Sequence, residues 1–296
     1  MLLCWLGVSI LGPALPGETG DVFSAISDWQ VRALRGDPVP SLLEMIGAGN
    51  SPSSITLATI APTALLMGQE GLPDAELAST ELSVPGGLLM TYEVTVGEYA
   101  ARCPRTWWQV DCTGWPGPRP GQSFSHPVVE VTWKEAKDWC ESQGWRLPTE
   151  AEWEAAARGS EGRLYPWGNT HVARAANYCD VGCKQGTLAV TWEDDGYPET
   201  APVGRFSAGR TPEGVHDLAG NVAEWVMDCW EPHHEGRTSW SDRANKTCVE
   251  RTIRGGSWRD RWGSISAAAR VPLGAATRSN KVGFRCVKGP LLDSNH

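Results

Sequence analysis

Oxygen donors crowd into one short stretch of this chain. Between Gly214 and Trp230, Asp217, Asn221 and Glu224 stand among glycines that permit sharp turns and among residues that favour burial: Val215, Leu218, Val222, Trp225 and Val226. A carboxylate drawn into such surroundings needs a partner. A hard cation such as calcium is one, because it accepts side-chain oxygens together with backbone carbonyls that a tight loop has turned away from regular hydrogen bonding. The same spacing also permits a plainer outcome, a polar turn followed by a short helix.

Other reactive side chains are less organised. His126 precedes a proline, His216 lies inside the oxygen-rich stretch, and His233 and His234 form a pair in a polar loop that reads as solvated surface. No Ser or Cys nucleophile stands at a recognisable motif spacing from any of them. The chain has nine cysteines. Setting aside Cys4 in an apolar leader leaves an even set with no CxxC pair and no histidine placed to complete a zinc site. That pattern predicts disulfides in an oxidising compartment, with connectivity left open; a set of reduced cytosolic thiols is the alternative.

The elements that must position these groups are short. A length of 296 residues with 41% hydrophobic residues is enough for a real core, and Gly 33, Pro 21 and Trp 16 against Phe 4 and Tyr 5 point to long connections filled by tryptophan. A formal charge of −9 argues against nucleic acid as the main partner. Leu2 to Pro16 is an apolar run too short to span a bilayer and is followed by small residues and proline, as in a signal peptide. No Lys or Arg precedes Arg32, so the usual positive leader is missing and a buried segment is the other reading. The expected organisation is a signal peptide over 1–18, an N-terminal segment and linker over 19–54, one domain over 55–288 and a tail over 289–296. The expected location is secreted or periplasmic, with no membrane span in the mature chain.

Three capping boxes predict helix starts: Thr95 with Glu98, Thr132 with Glu135, and Thr149 with Glu152. The second helix should bury Trp133, Ala136 and Cys140 and stop at Gly144; the third should bury Trp153, Ala156 and Ala157 and stop at Gly159. Strand-like runs occupy Leu88–Val94, Thr252–Ser257 and Val282–Val287. The pattern is α+β with long loops.

Five segments, in order, carry a resemblance. Arg146-Leu-Pro-Thr-Glu-Ala-Glu-Trp-Glu154, Tyr165-Pro-Trp-Gly-Asn169, Ala219-Gly-Asn-Val-Ala-Glu-Trp225, Arg254-Gly-Gly-Ser-Trp258 and Gly283-Phe-Arg-Cys286 resemble the formylglycine-generating enzyme (sulfatase-modifying factor) family. Upstream, Ile60–Gly68 and Tyr92–Thr95 look like that family's first two strands. The resemblance implies a C-type lectin-like fold of the formylglycine-generating-enzyme type, loop-rich, with bound structural calcium. It places a first calcium on the side chains of Asn177 and Asp195 and the carbonyls of Tyr178 and Tyr197. A second falls on Asp217 and Glu224 with the carbonyls of Gly220 and Val222. Oxygen-only ligation suits calcium rather than zinc or copper. The resemblance also implies a Cys140–Cys286 disulfide; Cys103–Cys112, Cys179–Cys183 and Cys229–Cys248 are the local pairings to expect beside it.

The family's oxidases carry two cysteines just after the Gly-Gly-Ser strand, where thiolates hold Cu(I) and oxygen is activated to convert a substrate cysteine to formylglycine. Here Gly255–Arg270 contains no cysteine, so copper is not expected and a binding module is the first reading, with the formylglycine-generating oxidase as the alternative. In related variable proteins of diversity-generating retroelements the same segment binds ligands. By that resemblance Trp258, Arg259, Asp260, Arg261, Trp262 and Ser264, with Arg270, Leu273 and Arg278, would form a surface over 258–278 for a protein, peptide or small ligand, Trp and Arg being common anchors. The excess of arginine suits an anionic or carboxylate-bearing partner.

Overall fold

Each predicted capping box starts a helix. In the computed structural model, α1 (Val96–Arg102), α2 (Trp133–Ser142) and α3 (Glu150–Arg158) follow Thr95, Thr132 and Thr149, and the glutamate three residues on hydrogen-bonds back in each case. The structure describes residues 55–69, 80–102, 112, 114–183, 193–233, 237–241, 243–244 and 246–289. The proposed leader, the linker, Cys103, His234 and residues 290–296 of the C-terminal tail therefore lie outside the described residues.

The helices end at glycines that take the left-handed backbone, Gly144 at φ +72° and Gly159 at φ +60°. Their buried faces differ from the simple stripe. In α2, Trp139 is fully buried beside Ala136 and Cys140, whereas Trp133 is only half-buried and lies under the Arg251 guanidinium at 3.7 Å. In α3 almost every side chain is buried, including Glu150, Glu154 and Arg158, because the helix is enclosed by strands and loops on all sides.

The strands are β1 (Leu57–Ile60), β2 (Thr63–Met67), β3 (Thr80–Val84), β4 (Gly87–Met90), β5 (Ala223–Cys229), β6 (Glu250–Arg254), β7 (Arg270–Gly274), β8 (Val282–Gly283) and β9 (Val287–Lys288). They form sheets in the orders β1-β4-β9, β2-β3 and β7-β6-β5-β8, all antiparallel except β5 with β8. The short helix that spacing alone permitted after Asp217 is not formed. That run is strand β5, and all seven of its residues are buried. An inner strand of a covered sheet is buried on both faces, with Glu224 and Asp228 enclosed along with the apolar residues, so it lacks the alternation that would have marked it as a strand. The expected strand Val282–Val287 is likewise split, because Phe284–Cys286 leaves the ladder to send Phe284 into the core and Cys286 into a disulfide.

Three bridges fasten this frame: Cys140–Cys286, Cys179–Cys183 and Cys229–Cys248. Cys112 is also disulfide-bonded. The first joins α2 to the segment before β9, beside the edge-on contacts of Phe284 with Trp139 and Tyr99.

Candidate functional site

The turn before β5 is built on left-handed backbone. Asp217 (φ +58°), Gly220 (φ +78°) and Asn221 (φ +59°) all adopt it. For the two non-glycine residues that conformation costs free energy, which Asp and Asn tolerate best. Hydrogen bonds hold it. Asp217 Oδ2 accepts the Gly204 amide at 2.6 Å, Asn221 Oδ1 accepts the Ala201 amide at 2.9 Å, and Asn221 Nδ2 donates to Glu93 Oε2 at 2.9 Å.

The result is a concentration of buried negative charge. Glu93, Asp217 and Glu224 are all buried, with Arg285 set against them. Both Glu224 oxygens accept from Arg285, at 2.7 and 2.8 Å, and Oε2 also accepts Trp153 Nε1 at 2.9 Å. Burial, together with the Asp217 and Glu224 charges, pushes the Glu93 carboxyl well above the usual range. Burial holds Asp217 up to about 6 even though the Gly204 amide and Arg285 act in the opposite direction.

A second set lies against the first. The Asn177 carbonyl accepts the Asn221 amide at 2.8 Å, and Asn177 Nδ2 donates to the Glu199 carbonyl at 2.8 Å. Asp195 Oδ1 accepts the Tyr197 amide at 2.7 Å. Asn177 Oδ1 and Asp195 Oδ2 are buried with no hydrogen-bond partner. Burial, with Asp180 and Asp194 close by, raises the Asp195 carboxyl to about 7. Orphaned buried oxygens beside clustered carboxylates are what a site built for a hard cation presents. The oxygen-only donor set of the Asn177 and Asp195 loop is chemically suited to a hard cation, whereas at the Asp217 loop both Glu224 oxygens are already engaged by Arg285 and Trp153.

The segment after β6 is divided between core and surface. Trp258 is buried, its Nε1 donating to the Asn280 carbonyl at 3.1 Å, so it does not reach the exposed face expected of it. Arg270 is buried too, donating to Glu150 at 2.6 Å with its guanidinium 4.2 Å from the Trp230 ring. Arg278 is tied to Glu135 at 2.6 Å, and Leu273 packs on the core. Arg261 is exposed; Arg259, Asp260, Trp262 and Ser264 are half-buried. Trp262 sits in an aromatic group with Tyr165, Trp167, His171 and Tyr178, at centroid distances of 4.5 to 5.9 Å. Beside it opens a pocket of about 210 Å³, lined in part by Ala223, Ser257, Asp260, Ser264 and Lys281.

A family model described as the sulfatase-modifying factor enzyme 1-like domain matches residues 50–290. The chain belongs to this family. It is 31% identical over 225 residues to the formylglycine-generating enzyme of Mus musculus, covering 73% of this chain and 59% of that protein. It is 36% identical over 203 residues to the formylglycine-generating enzyme of Thermomonospora curvata, covering 62% and 65%. It is also 33% identical over 195 residues to the inactive C-alpha-formylglycine-generating enzyme 2 of Bos taurus, covering 62% and 59%. The chain thus spans less than two thirds of these relatives' own length. Among solved structures, PvdO from Pseudomonas aeruginosa aligns with TM-score 0.61 and 24% identity over 81% of this chain and 99% of that one. Treponema denticola variable protein 1 aligns with TM-score 0.60 and 22% identity over 80% and 97%. These likenesses carry the fold: the loop-rich, α+β, C-type lectin-like arrangement of the sulfatase-modifying factor family.

Within that frame, Glu93 had no sequence signal beyond being the single charge in the run Leu88–Val94, and Lys281 none beyond preceding Val282–Val287. The Arg285 ion pair with Glu224 was equally invisible, since the two lie 61 residues apart.

Proposed function

We infer that this sulfatase-modifying factor domain is an exported binding module, stabilised by calcium and disulfides, and not a formylglycine-forming oxidase. The absence of any thiol from Gly255–Arg270 carries this reading. Cu(I) is a soft ion that requires thiolates, and Ser257, Asp260 and Ser264 offer hard oxygens instead. Cys112, Cys140, Cys179, Cys183, Cys229, Cys248 and Cys286 are all engaged in disulfides, so none of them can supply the missing pair. Copper does not fit, and no step is routed through it. The name of the bovine relative, an inactive C-alpha-formylglycine-generating enzyme 2, supports this reading.

Calcium would be held by Asn177 and Asp195 with the carbonyls of Tyr178 and Tyr197, and by Asp217 and Glu224 with the carbonyls of Gly220 and Val222. When bound it supplies charge compensation and crosslinks loops that have little regular hydrogen bonding of their own. This chain's part is to position a recognition face on that frame. Arg259, Arg261 and Trp262 line its open side, with the pocket at Asp260, Ser264 and Lys281 next to them. Residues 258–278 would take a protein, peptide or small ligand. Export is supported by the disulfides, which persist in oxidising compartments; among the described residues no helix is long and apolar enough to cross a membrane.

The deciding test is incubation with copper, oxygen, a reductant and a Cys-x-Pro-x-Arg peptide. No aldehyde is expected on the peptide cysteine; its appearance would overturn the reading.

A further inference from the structure

The pocket between β5, β6, β8 and the loop after Ser257 holds two opposite charges that do not pair with each other. Asp260 and Lys281 both line it, and neither has an ion-pair partner among the described residues. Their backbones are fixed. Asp260 Oδ2 accepts the Ser257 amide at 2.9 Å and the Ser257 hydroxyl at 2.6 Å, and the Asp260 carbonyl accepts the Cys179 amide at 2.9 Å. The Lys281 carbonyl accepts the Ala223 amide at 2.8 Å, and its own amide donates to Ser279 Oγ at 3.2 Å. Gly256, at φ +65°, brings the loop so close to Ser264 that a Cβ there would lie 2.7 Å from the Ser264 carbonyl oxygen, which closes one wall.

The remaining wall carries the aliphatic Ile253, Val271 and Val282 beside Arg270, whose guanidinium is paired with Glu150. At about 210 Å³ the space falls below the roughly 300–1,000 Å³ of sites for drug-sized ligands, yet it exceeds the room one water needs many times over. Neither charge has a counterion in the pocket, Asp260 being met by the Ser257 donors instead, and a ligand with one charge would offer a counterion to only one of them.

We propose that this pocket binds a small zwitterion, a free aliphatic α-amino acid, with its carboxylate against Lys281, its ammonium against Asp260 and its side chain on Ile253, Val271 and Val282. The assignment rests on the binding-module reading and names the ligand class of that same surface. It needs no metal at the pocket.

The test is calorimetric titration of the full chain with glycine, alanine, valine and leucine. Each is paired with the carboxylic acid lacking its amino group and the amine lacking its carboxylate. At least one amino acid should bind, and each single-charge counterpart should bind about tenfold more weakly or worse, as expected for loss of one charge-assisted contact. Lys281→Gln should reduce the amino acid to the affinity of its amine, and Asp260→Asn, which keeps an oxygen for Ser257, to that of its acid. Should Asp260→Asn melt lower than the parent, Lys281→Gln alone decides. Failure of all four amino acids to bind, equal binding of the counterparts, or unchanged binding by Lys281→Gln would overturn the proposal. The peptide-oxidation assay reports separately on the binding-module reading, so a negative titration without aldehyde sinks only the zwitterion.

Discussion

The Asn177 carbonyl and the Asn221 amide meet at 2.8 Å, and through this one hydrogen bond the two oxygen-rich loops share a backbone junction. Gly220 makes the approach feasible. A Cβ at that position would lie 2.1 Å from the Asn177 oxygen, closer than any real contact, and the residue also stands at φ +78°. The loops are therefore a coupled pair, and disturbing one disturbs the other.

Gly220→Ala should cost more stability than the roughly 1–2 kcal/mol that left-handed backbone costs an alanine, because Asn177 must also move, and should lower the melting temperature accordingly. If calcium occupies these loops, adding excess chelator to the parent protein should lower its melting temperature by several degrees. At calcium near 100 times its dissociation constant, about 2.7 kcal/mol is at stake. The gap between calcium and chelator should shrink in the alanine variant. Differential scanning calorimetry checks both, and a parent melt indifferent to chelator removes the calcium reading.

The long disulfide should matter more than the short one. Cys140–Cys286 spans 146 residues and Cys179–Cys183 spans 4. Chain-entropy arithmetic gives roughly 5 kcal/mol for the first against roughly 2 kcal/mol for the second. Denaturant unfolding of the two double-alanine variants measures the difference; comparable losses would show that native-state packing, and not loop closure, sets the effect.

Glu150 is the hub of a buried charge network. It meets Arg270 at 2.6 Å, Arg237 at 3.2 Å and Arg254 at 3.7 Å, while Arg254 also reaches Glu154 at 2.5 Å. Glu150→Gln should cost roughly 3–5 kcal/mol, since it leaves arginine charge buried without its counterion. Glu141→Gln, which breaks the exposed pair with Lys137, should cost less than about 1 kcal/mol. Equal costs would mean that the network is more hydrated than its burial implies.

Acid should act through His126. Its Nδ1 lies 3.0 Å from Thr200 Oγ1, and burial lowers its pKa to about 4. The unfolded chain therefore takes up a proton near pH 6.5 that the folded chain refuses until about pH 4. Stability from this group is fully present above pH 6.5 and is lost as pH falls toward 4. Asp217, held up to about 6 by burial, acts the other way without a cation, because the folded state then binds its proton more tightly. The two are separated by His126→Gln, in which the decline between pH 7.5 and pH 5 should be smaller than in the parent; an identical decline would clear His126.

Much of this molecule was legible in one dimension. The three Ser/Thr-x-x-Glu boxes determined where helices begin, because a capping box acts within four consecutive residues, and the ordered motifs determined the family. The missing cysteines between Gly255 and Arg270 also stood in plain view, since softness of a ligand atom is a property of residue type alone. Tertiary structure decided what depends on which side chains meet. It turned Ala223–Cys229 into an enclosed strand, drew Trp258 and Arg270 into the interior, set Glu93 and Arg285 beside the Asp217 loop, and left Lys281 and Asp260 unpaired in one pocket. Burial and charge pairing are sums over neighbours from distant parts of the chain, and no local spacing encodes them.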